Sequence, residues 1–241
     1  MARSTDNGAT WTAPAPLNTN APTDSGGDYR PQVTTDGAGN WVAVWSSNEN
    51  LGGTIGTDWD ILVARSTNNG ATWTAPAPLN TNAAIDSGDD LAPQVTTDGR
   101  GNWLAVWFSY DSLGGIIGTD NDILVARSTN NGATWTDPTA LNSNAATDSG
   151  TDADPQVTTD GGGNWVVVWR SEDDLGGTIG TDQDILYATE YIPPYPPVGG
   201  IAALPDGSDS AGRNYVALAG LAPTLALLTA GAWHARRRWP G

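Results

Sequence analysis

The side chains best equipped for chemistry in this sequence are carboxylates and aromatics, because the usual nucleophiles and soft metal donors are scarce. There is no cysteine, and the single histidine is His234, near the C-terminus. Disulfides and thiolate metal sites are excluded, and so are a histidine general base and a histidine-built zinc site upstream of that tail. Acidic pairs recur instead: Asp24 with Asp28, Asp58 with Asp60, Asp86 with Asp90, Asp120 with Asp122, Asp148 with Asp152, and Asp182 with Asp184. Calcium takes about 6–8 oxygen ligands, and clustered carboxylates beside backbone carbonyls supply them. No EF-hand spacing is present, and ordinary Asx-turn capping accounts for the same residues without a metal. Calcium is the one cofactor this pattern suggests.

A second group suits carbohydrate: Tyr29, Arg30 and Trp59, then Phe108 and Tyr110, then Arg170 and Glu172. Aromatic faces stack on sugar C–H surfaces, and an arginine fork binds a carboxylate bidentately. Exposed aromatics also fill the bases of loops. The overall charge narrows the partners further. The formal net charge is -17, all ten basic residues are arginine, and 24 of the 27 acidic residues are Asp. Such a surface repels phosphate backbones, which argues against nucleic acid. A solvated acidic surface in a salty medium accounts for the same charge.

The elements that carry these residues repeat. Residues 2–63, 64–125 and 126–187 align without a gap, and the first two copies agree at 48 of 62 positions. Each copy reads as four strands. In the first, residues 31–36 form one strand, and the Asp36-Gly-Ala-Gly-Asn40 turn leads into a second over 41–47. That strand, WVAVWSS, is apolar on both faces and must be buried on both. A long loop leads to a third strand over 60–67, and an Asn68-Asn69-Gly70 turn leads to a fourth over 72–79. Pro76 and Pro78 make the fourth an edge. Antiparallel four-stranded units, buried on both faces and repeated at this period, describe β-propeller blades. A β-sandwich explains the strands but not an ungapped 62-residue repeat.

The turn between the third and fourth strands reads Ser4-Thr5-Asp6-Asn7-Gly8-Ala9-Thr10-Trp11. It resembles the Asp box, the S-x-D-x-G-x-T-W hairpin of BNR-repeat proteins and sialidases. The second copy carries it as Ser66, Asn68, Gly70 and Trp73, the third as Ser128, Asn130, Gly132 and Trp135, with Asn where Asp is usual. Asp or Asn accepts backbone N–H bonds, Gly supplies positive φ, and Trp packs under the hairpin. The motif is thus a folding device and names no catalytic residue. The resemblance implies an all-β fold of sialidase-like propeller blades.

A propeller needs at least about four blades to close. This chain opens within the third strand of one blade and ends after the third strand of another, which gives 13 expected strands. The expectation is the C-terminal part of a longer protein, without a signal peptide at Met1. Two alternatives stay open: a homodimer completing a six-bladed ring, and an open arc of stacked blades.

In such a blade the Asp boxes lie on one face of the ring, and the 18–30 and 46–59 loops on the other. Copies one and two differ at 14 positions, and eleven of these (22, 23, 27, 29, 30, 46, 48, 49, 50, 54 and 59) fall in those loops. Packing holds a scaffold and leaves loop tips free to vary, so this face is either simply tolerant or diversified for ligands. The sialidase resemblance implies an arginine triad, a Tyr nucleophile paired with Glu, and an Asp acid/base. Arg30, in Tyr29-Arg30-Pro31, is faintly similar to the Arg-Ile-Pro element of that family. Arg3, Arg65 and Arg127 recur identically and read as scaffold. The only glutamates are Glu49, Glu172 and Glu190, and none pairs recognisably with a Tyr. A complete catalytic set is not visible, so no catalytic residue is assigned.

Residues 1–191 thus form the repeat region. Residues 192–214, with Pro193-Pro194-Tyr195-Pro196-Pro197, read as an extended linker. Residues 215–233 carry no charge, enough to span a bilayer as one helix, and the Arg-rich stretch 234–241 places the C-terminus in the cytoplasm. Pro223 and several Ala and Gly weaken the hydrophobicity of this stretch, and a buried helix is the alternative. This arrangement resembles the C-terminal sorting anchors of microbial surface proteins and implies a cell-surface location. The expected function is a surface-anchored, sialidase-like propeller segment that binds glycans or adheres. The alternatives are an exo-sialidase or other glycoside hydrolase completed by upstream blades, and a structural stalk.

Overall fold

The computed structural model describes residues 1–191 and 229–230. These form three four-stranded antiparallel sheets, each an up-and-down meander. The first holds β1 (Asp28–Thr35), β2 (Trp41–Ser47), β3 (Asp60–Ser66) and β4 (Ala77–Pro78). The second holds β5 (Asp90–Thr97), β6 (Trp103–Ser109), β7 (Asp122–Ser128) and β8 (Thr139–Ala140). The third holds β9 (Asp152–Thr159), β10 (Asn164–Ser171), β11 (Asp184–Tyr191) and β12 (Thr229–Ala230).

The sheets stack face to face, and this explains the doubly apolar strands. Val42, Val44, Ile61 and Val63 of the first sheet pack on Trp103, Ala105, Trp107, Leu124 and Ala126 of the second. The opposite face of the second sheet, Leu104, Val106, Ile123 and Val125, packs on Trp165, Val167, Trp169, Leu186 and Ala188 of the third. Each fully buried aliphatic or aromatic side chain contributes about 1.5–3 kcal/mol, so these two interfaces carry the stability. The far face of the third sheet, with Val166, Val168 and Ile185, is exposed among the described residues.

The inner strands bend at one place in every blade. Register shifts occur between Tyr29 and Gln32, between Leu91 and Gln94, and opposite Val168–Arg170. Arg30, Ala92 and Asp154, equivalent in the three copies, all take positive φ there. A bulge of this kind turns the side chain out of the sheet.

Two expectations are corrected. The fourth strand is two residues long rather than eight. Prolines 76 and 78 offer no N–H to the ladder, so regular pairing with β3 is confined to Leu62–Pro78 and Val63–Ala77. Single bonds, Thr74 N to Arg65 O at 2.9 Å and Leu79 N to Ile61 O at 2.7 Å, hold the segment on either side. The first 27 residues contain no strand, although two were expected. They keep the hairpin bond from Thr12 N to Arg3 O at 2.9 Å, but among the described residues no second strand lies beside Arg3 to build a ladder. Trp11 is accordingly 64% exposed, whereas Trp73 and Trp135 pack against core clusters.

Among the described residues no helix is long and apolar enough to cross a membrane. The linker 192–214 and the tail 234–241 lie outside the described residues. So does the span 215–233, save for Thr229–Ala230, which pairs with Ala188 and Thr189.

Candidate functional site

Hydrogen bonds sort the loops into two ends. The amide of Asn69 in the Asp box donates to Gly39 O of the β1–β2 turn at 3.0 Å, and Asn131 does the same to Gly101 at 3.2 Å. At the other end, Gly56 N donates to Ala83 O at 3.0 Å, and Tyr110 N to Asp89 O at 3.0 Å, joining the long loops to the blade-to-blade connections.

The Asp-box end is a closed set of local bonds. Ser66 Oγ donates to Asn68 Oδ1 at 2.9 Å, and the amides of Gly70 and Thr72 donate to Ser66 Oγ and Asn68 Oδ1. Ser128, Asn130 and Gly132 repeat the pattern. In the first copy Asp6 accepts from Thr10, from its hydroxyl first, and from Ser4, which lowers its pKa to about 2. The residue before each glycine, Asn7, Asn69 or Asn131, also takes positive φ, as a two-residue hairpin turn requires. The polar side chains of the box are thus spent on the hairpin itself.

The other end gathers the sequence-variable residues. Tyr29 and Trp59 meet edge to face, with ring centroids 5.2 Å apart. The pair depends on Gly27, where an added Cβ would lie 2.7 Å from Tyr29 Cε2. Phe108 and Tyr110 form a second edge-to-face pair at 6.4 Å, with Phe108 buried and Tyr110 exposed. Arg170 is bracketed by carboxylates: Nε lies 3.4 Å from Asp154 Oδ2, and Nη1 lies 3.4 Å from Glu172 Oε1. Arg30 reaches the same Asp154 at 3.8 Å. Gln183 Nε2 donates to Glu172 at 2.9 Å.

Beside Tyr110 runs an open trough whose lining includes none of Tyr29, Arg30, Trp59, Phe108, Arg170 and Glu172. A groove of about 650 Å³ is lined by Asn82, Ile85, Asp86, Asp111, Ile116 and Asp137, among others. Through Ser87, Asp111 and Ser112 it continues into a hollow of about 350 Å³ beneath Tyr110 and Asp89. Ile85 and Ile116 stand where the other two copies have Thr, and both are exposed.

The acidic pairs group differently from the sequence pairing. Asp58 and Asp60 join Asp86 of the next copy, and each offers a carboxylate oxygen within 4.8 Å of the others; Asp120, Asp122 and Asp148 do the same one blade on. Asp24 and Asp28 are instead bridged by Asn18, at 3.0 and 2.9 Å. Asp28 also accepts from Trp45 Nε1 at 2.9 Å. Asp90 and Asp152 are buried at the starts of β5 and β9. Asp182 and Asp184 begin a third such set, without a described partner from a following blade.

Loss of solvent dominates the electrostatics here. Burial pushes Asp60 up to about 7, against the hydrogen bond from Asn80, with the charges of Asp86 and Asp58 adding to the rise. Burial, then Asp111 and Asp58, brings Asp86 to about 6. In the second group burial raises Asp122 to about 7 and Asp148 to about 6. Burial also raises Asp152 to about 7, and Asp90 well above the ordinary carboxylate range.

Sequence reasoning missed Asp154, Asn82, Asp111 and the two isoleucines. The signal for Asp154 was present, since Arg30, Ala92 and Asp154 differ at one repeat position. That position becomes informative only when first and third copies are known to meet.

No curated protein matches the sequence. Solved structures similar to the chain include a Hadza microbial sialidase, with 16% identity over 68% of this chain and 35% of that one, at a TM-score of 0.49. An α-L-arabinanase of Penicillium chrysogenum complexed with arabinobiose has 17% identity over 78% of this chain and 53% of its own, also at 0.49. An N-acetylgalactosamine deacetylase from F. plautii has 14% identity over 78% and 57%, at 0.46. The chain spans between 35% and 57% of the length of these three structures. The model of the BNR repeat-like domain matches residues 1–174. With the Asp-box hairpin recurring at one position of the repeat, and twice joining the third and fourth strands of a stacked antiparallel sheet, the chain belongs to the BNR repeat-like domain family.

Proposed function

We propose that this chain is a carbohydrate-binding segment of a sialidase-like propeller, displayed at a cell surface, with its ligand in the trough at the variable-loop end. The observation that carries this reading is the trough itself. It lies at the end where the copies differ, and it combines carboxylates and amides with the exposed face of Tyr110. Carboxylate and amide oxygens accept sugar hydroxyl protons, and an aromatic face covers sugar C–H groups. The Asp86, Asp89, Asp111 and Asp137 carboxylates favour a neutral sugar over an acidic one.

Binding is favoured over sialidase-type hydrolysis because none of the three glutamates is hydrogen-bonded to a tyrosine among the described residues. Glu49 accepts from the amides of Ser25 and Gly26, Glu172 is held by Arg170 and Gln183, and Glu190 pairs with Arg127. Retention on a glycan array, with no turnover of fluorogenic sialosides or arabinosides, tests this reading. Turnover by the chain alone would replace it with the hydrolase. Surface display rests on the uncharged stretch 215–233 and the arginines beyond it, and it requires Thr229–Ala230 to leave the edge of the third sheet, where they pair with β11. Truncation before Ile192 should release the protein from membranes, and persistent membrane association would rule the anchor out.

A further inference from the structure

We infer that a hard divalent cation of calcium type ties each blade to the next, held by Asp58, Asp60 and Asp86 at the first junction and by Asp120, Asp122 and Asp148 at the second. The first two ligands stand at the mouth of the third strand of one blade. The third comes from the segment leading into the next blade, so the cation would bridge the connection the chain makes between blades.

Three acidic residues together do not make a site, but these carry unmet bonding. Asp60 is 0% exposed. One of its oxygens takes the Asn80 side chain at 2.8 Å, and the other, Oδ2, has no partner. Asp58 Oδ2 and Asp86 Oδ1 are also shielded from solvent and unpartnered. The second junction repeats this atom for atom. Asp122 is 0% exposed and takes Asn142 at 2.6 Å on one oxygen. Asp122 Oδ2, Asp120 Oδ2 and Asp148 Oδ1 are left without partners. A buried acceptor without a donor costs about 1–3 kcal/mol, and more when charged. At each junction, moreover, one oxygen of every member lies within 4.8 Å of the others, a set that an oxygen-seeking cation satisfies.

The local backbone is shaped around the same carboxylates. Asp58 folds back over Gly56, where an added Cβ would meet Oδ1 at 2.1 Å, and Asp120 folds over Gly118 in the same way, at 2.3 Å. The donor set is all oxygen, with no nitrogen or sulfur ligand, which selects calcium over zinc or copper. Asp86 also lines the trough, so the first cation would buttress one wall of the ligand site proposed above without depending on that proposal.

Titration of the chelator-treated full chain with calcium chloride, followed by calorimetry and thermal melting, tests the inference. Two ions should bind per chain, and the melting temperature should rise by about 4 °C or more at saturation. Asp86→Asn should reduce the count from two to one, Asp148→Asn likewise, and the double variant should lose both. Asp6→Asn, which installs the residue the other copies carry, should leave the count at two. No heat and no shift in the wild-type protein would overturn the inference, whatever the variants do. Undiminished binding to the folded double variant would also overturn it, since that is diffuse attraction to an acidic surface.

Discussion

Arg30 and Asp154 occupy the same position in the first and third copies of the repeat, yet their side chains meet at 3.8 Å. Each sits on an inner-strand bulge at positive φ, which aims both toward the line around which the sheets are arranged. Both are more than half exposed. Arg30→Ala is therefore expected to change unfolding free energy by less than about 1 kcal/mol. A double-mutant cycle with Asp154→Ala should give a coupling of similar size that shrinks in high salt. A coupling several times larger would mean the pair is desolvated.

A second prediction concerns a bond found at only one junction. Ala92 N donates to Ser46 Oγ across the first blade interface at 3.1 Å, in a buried setting. Ser46→Ala leaves that amide without a partner, and the expected loss is about 1–3 kcal/mol. Denaturant unfolding measures it, and an unchanged midpoint would show that the amide finds another acceptor.

Gly118 offers a third test. An Ala there would place Cβ 2.3 Å from Asp120 Oδ1 and drive the carboxylate out of its group. Its φ is not in the left-handed region, so backbone strain is not the issue. Gly118→Ala should lower calcium stoichiometry by one while leaving the first junction intact, which calorimetry would show.

Asp6 gives the pH dependence. Hydrogen bonds from Thr10, then Ser4, lower its pKa from 3.8 to about 2 in the folded hairpin. The folded value is depressed, so its contribution to stability is fully present above the unfolded pKa. It fades as pH falls through the folded one, between about 4 and about 2. An NMR titration should find the midpoint near 2. A midpoint near 3.8 would mean that the hairpin bonds do not persist in solution. Asp6→Asn should abolish this part of the acid dependence.

Much of the fold was legible because its cause is local. Trp41–Ser47 is apolar on both faces, and both faces are covered. The Asp box fixes its own hairpin through side chains two and four residues apart, so sequence alone reveals it. The fourth strand is shorter than the 72–79 expected after the Asn68-Asn69-Gly70 turn because Pro76 and Pro78 not only confine it to an edge but leave just two residues paired with β3. The acidic groups were mispaired for another reason. Asp58 and Asp60 meet Asp86 only because the next blade returns past them, and spacing within one copy cannot show a contact between copies. The Arg30–Asp154 contact was hidden in the same way, across two blade interfaces.

Under the function proposed above, ligand recognition belongs to the variable-loop end and not to the Asp boxes. Glycan-array binding by the wild-type chain, Tyr110→Ala and Asn68→Asp tests it most directly. Tyr110 is 47% exposed and meets the core only through the edge-to-face contact with Phe108, so a melting curve of Tyr110→Ala accompanies the array, and Asn68→Asp restores the usual Asp-box residue at the opposite end. Expected are glycan binding by the wild type, a loss of up to about tenfold in Tyr110→Ala, at about 0.5–1.5 kcal/mol per aromatic contact, and no change in Asn68→Asp. Absence of glycan binding by the wild type, or equal loss in both variants, would contradict it.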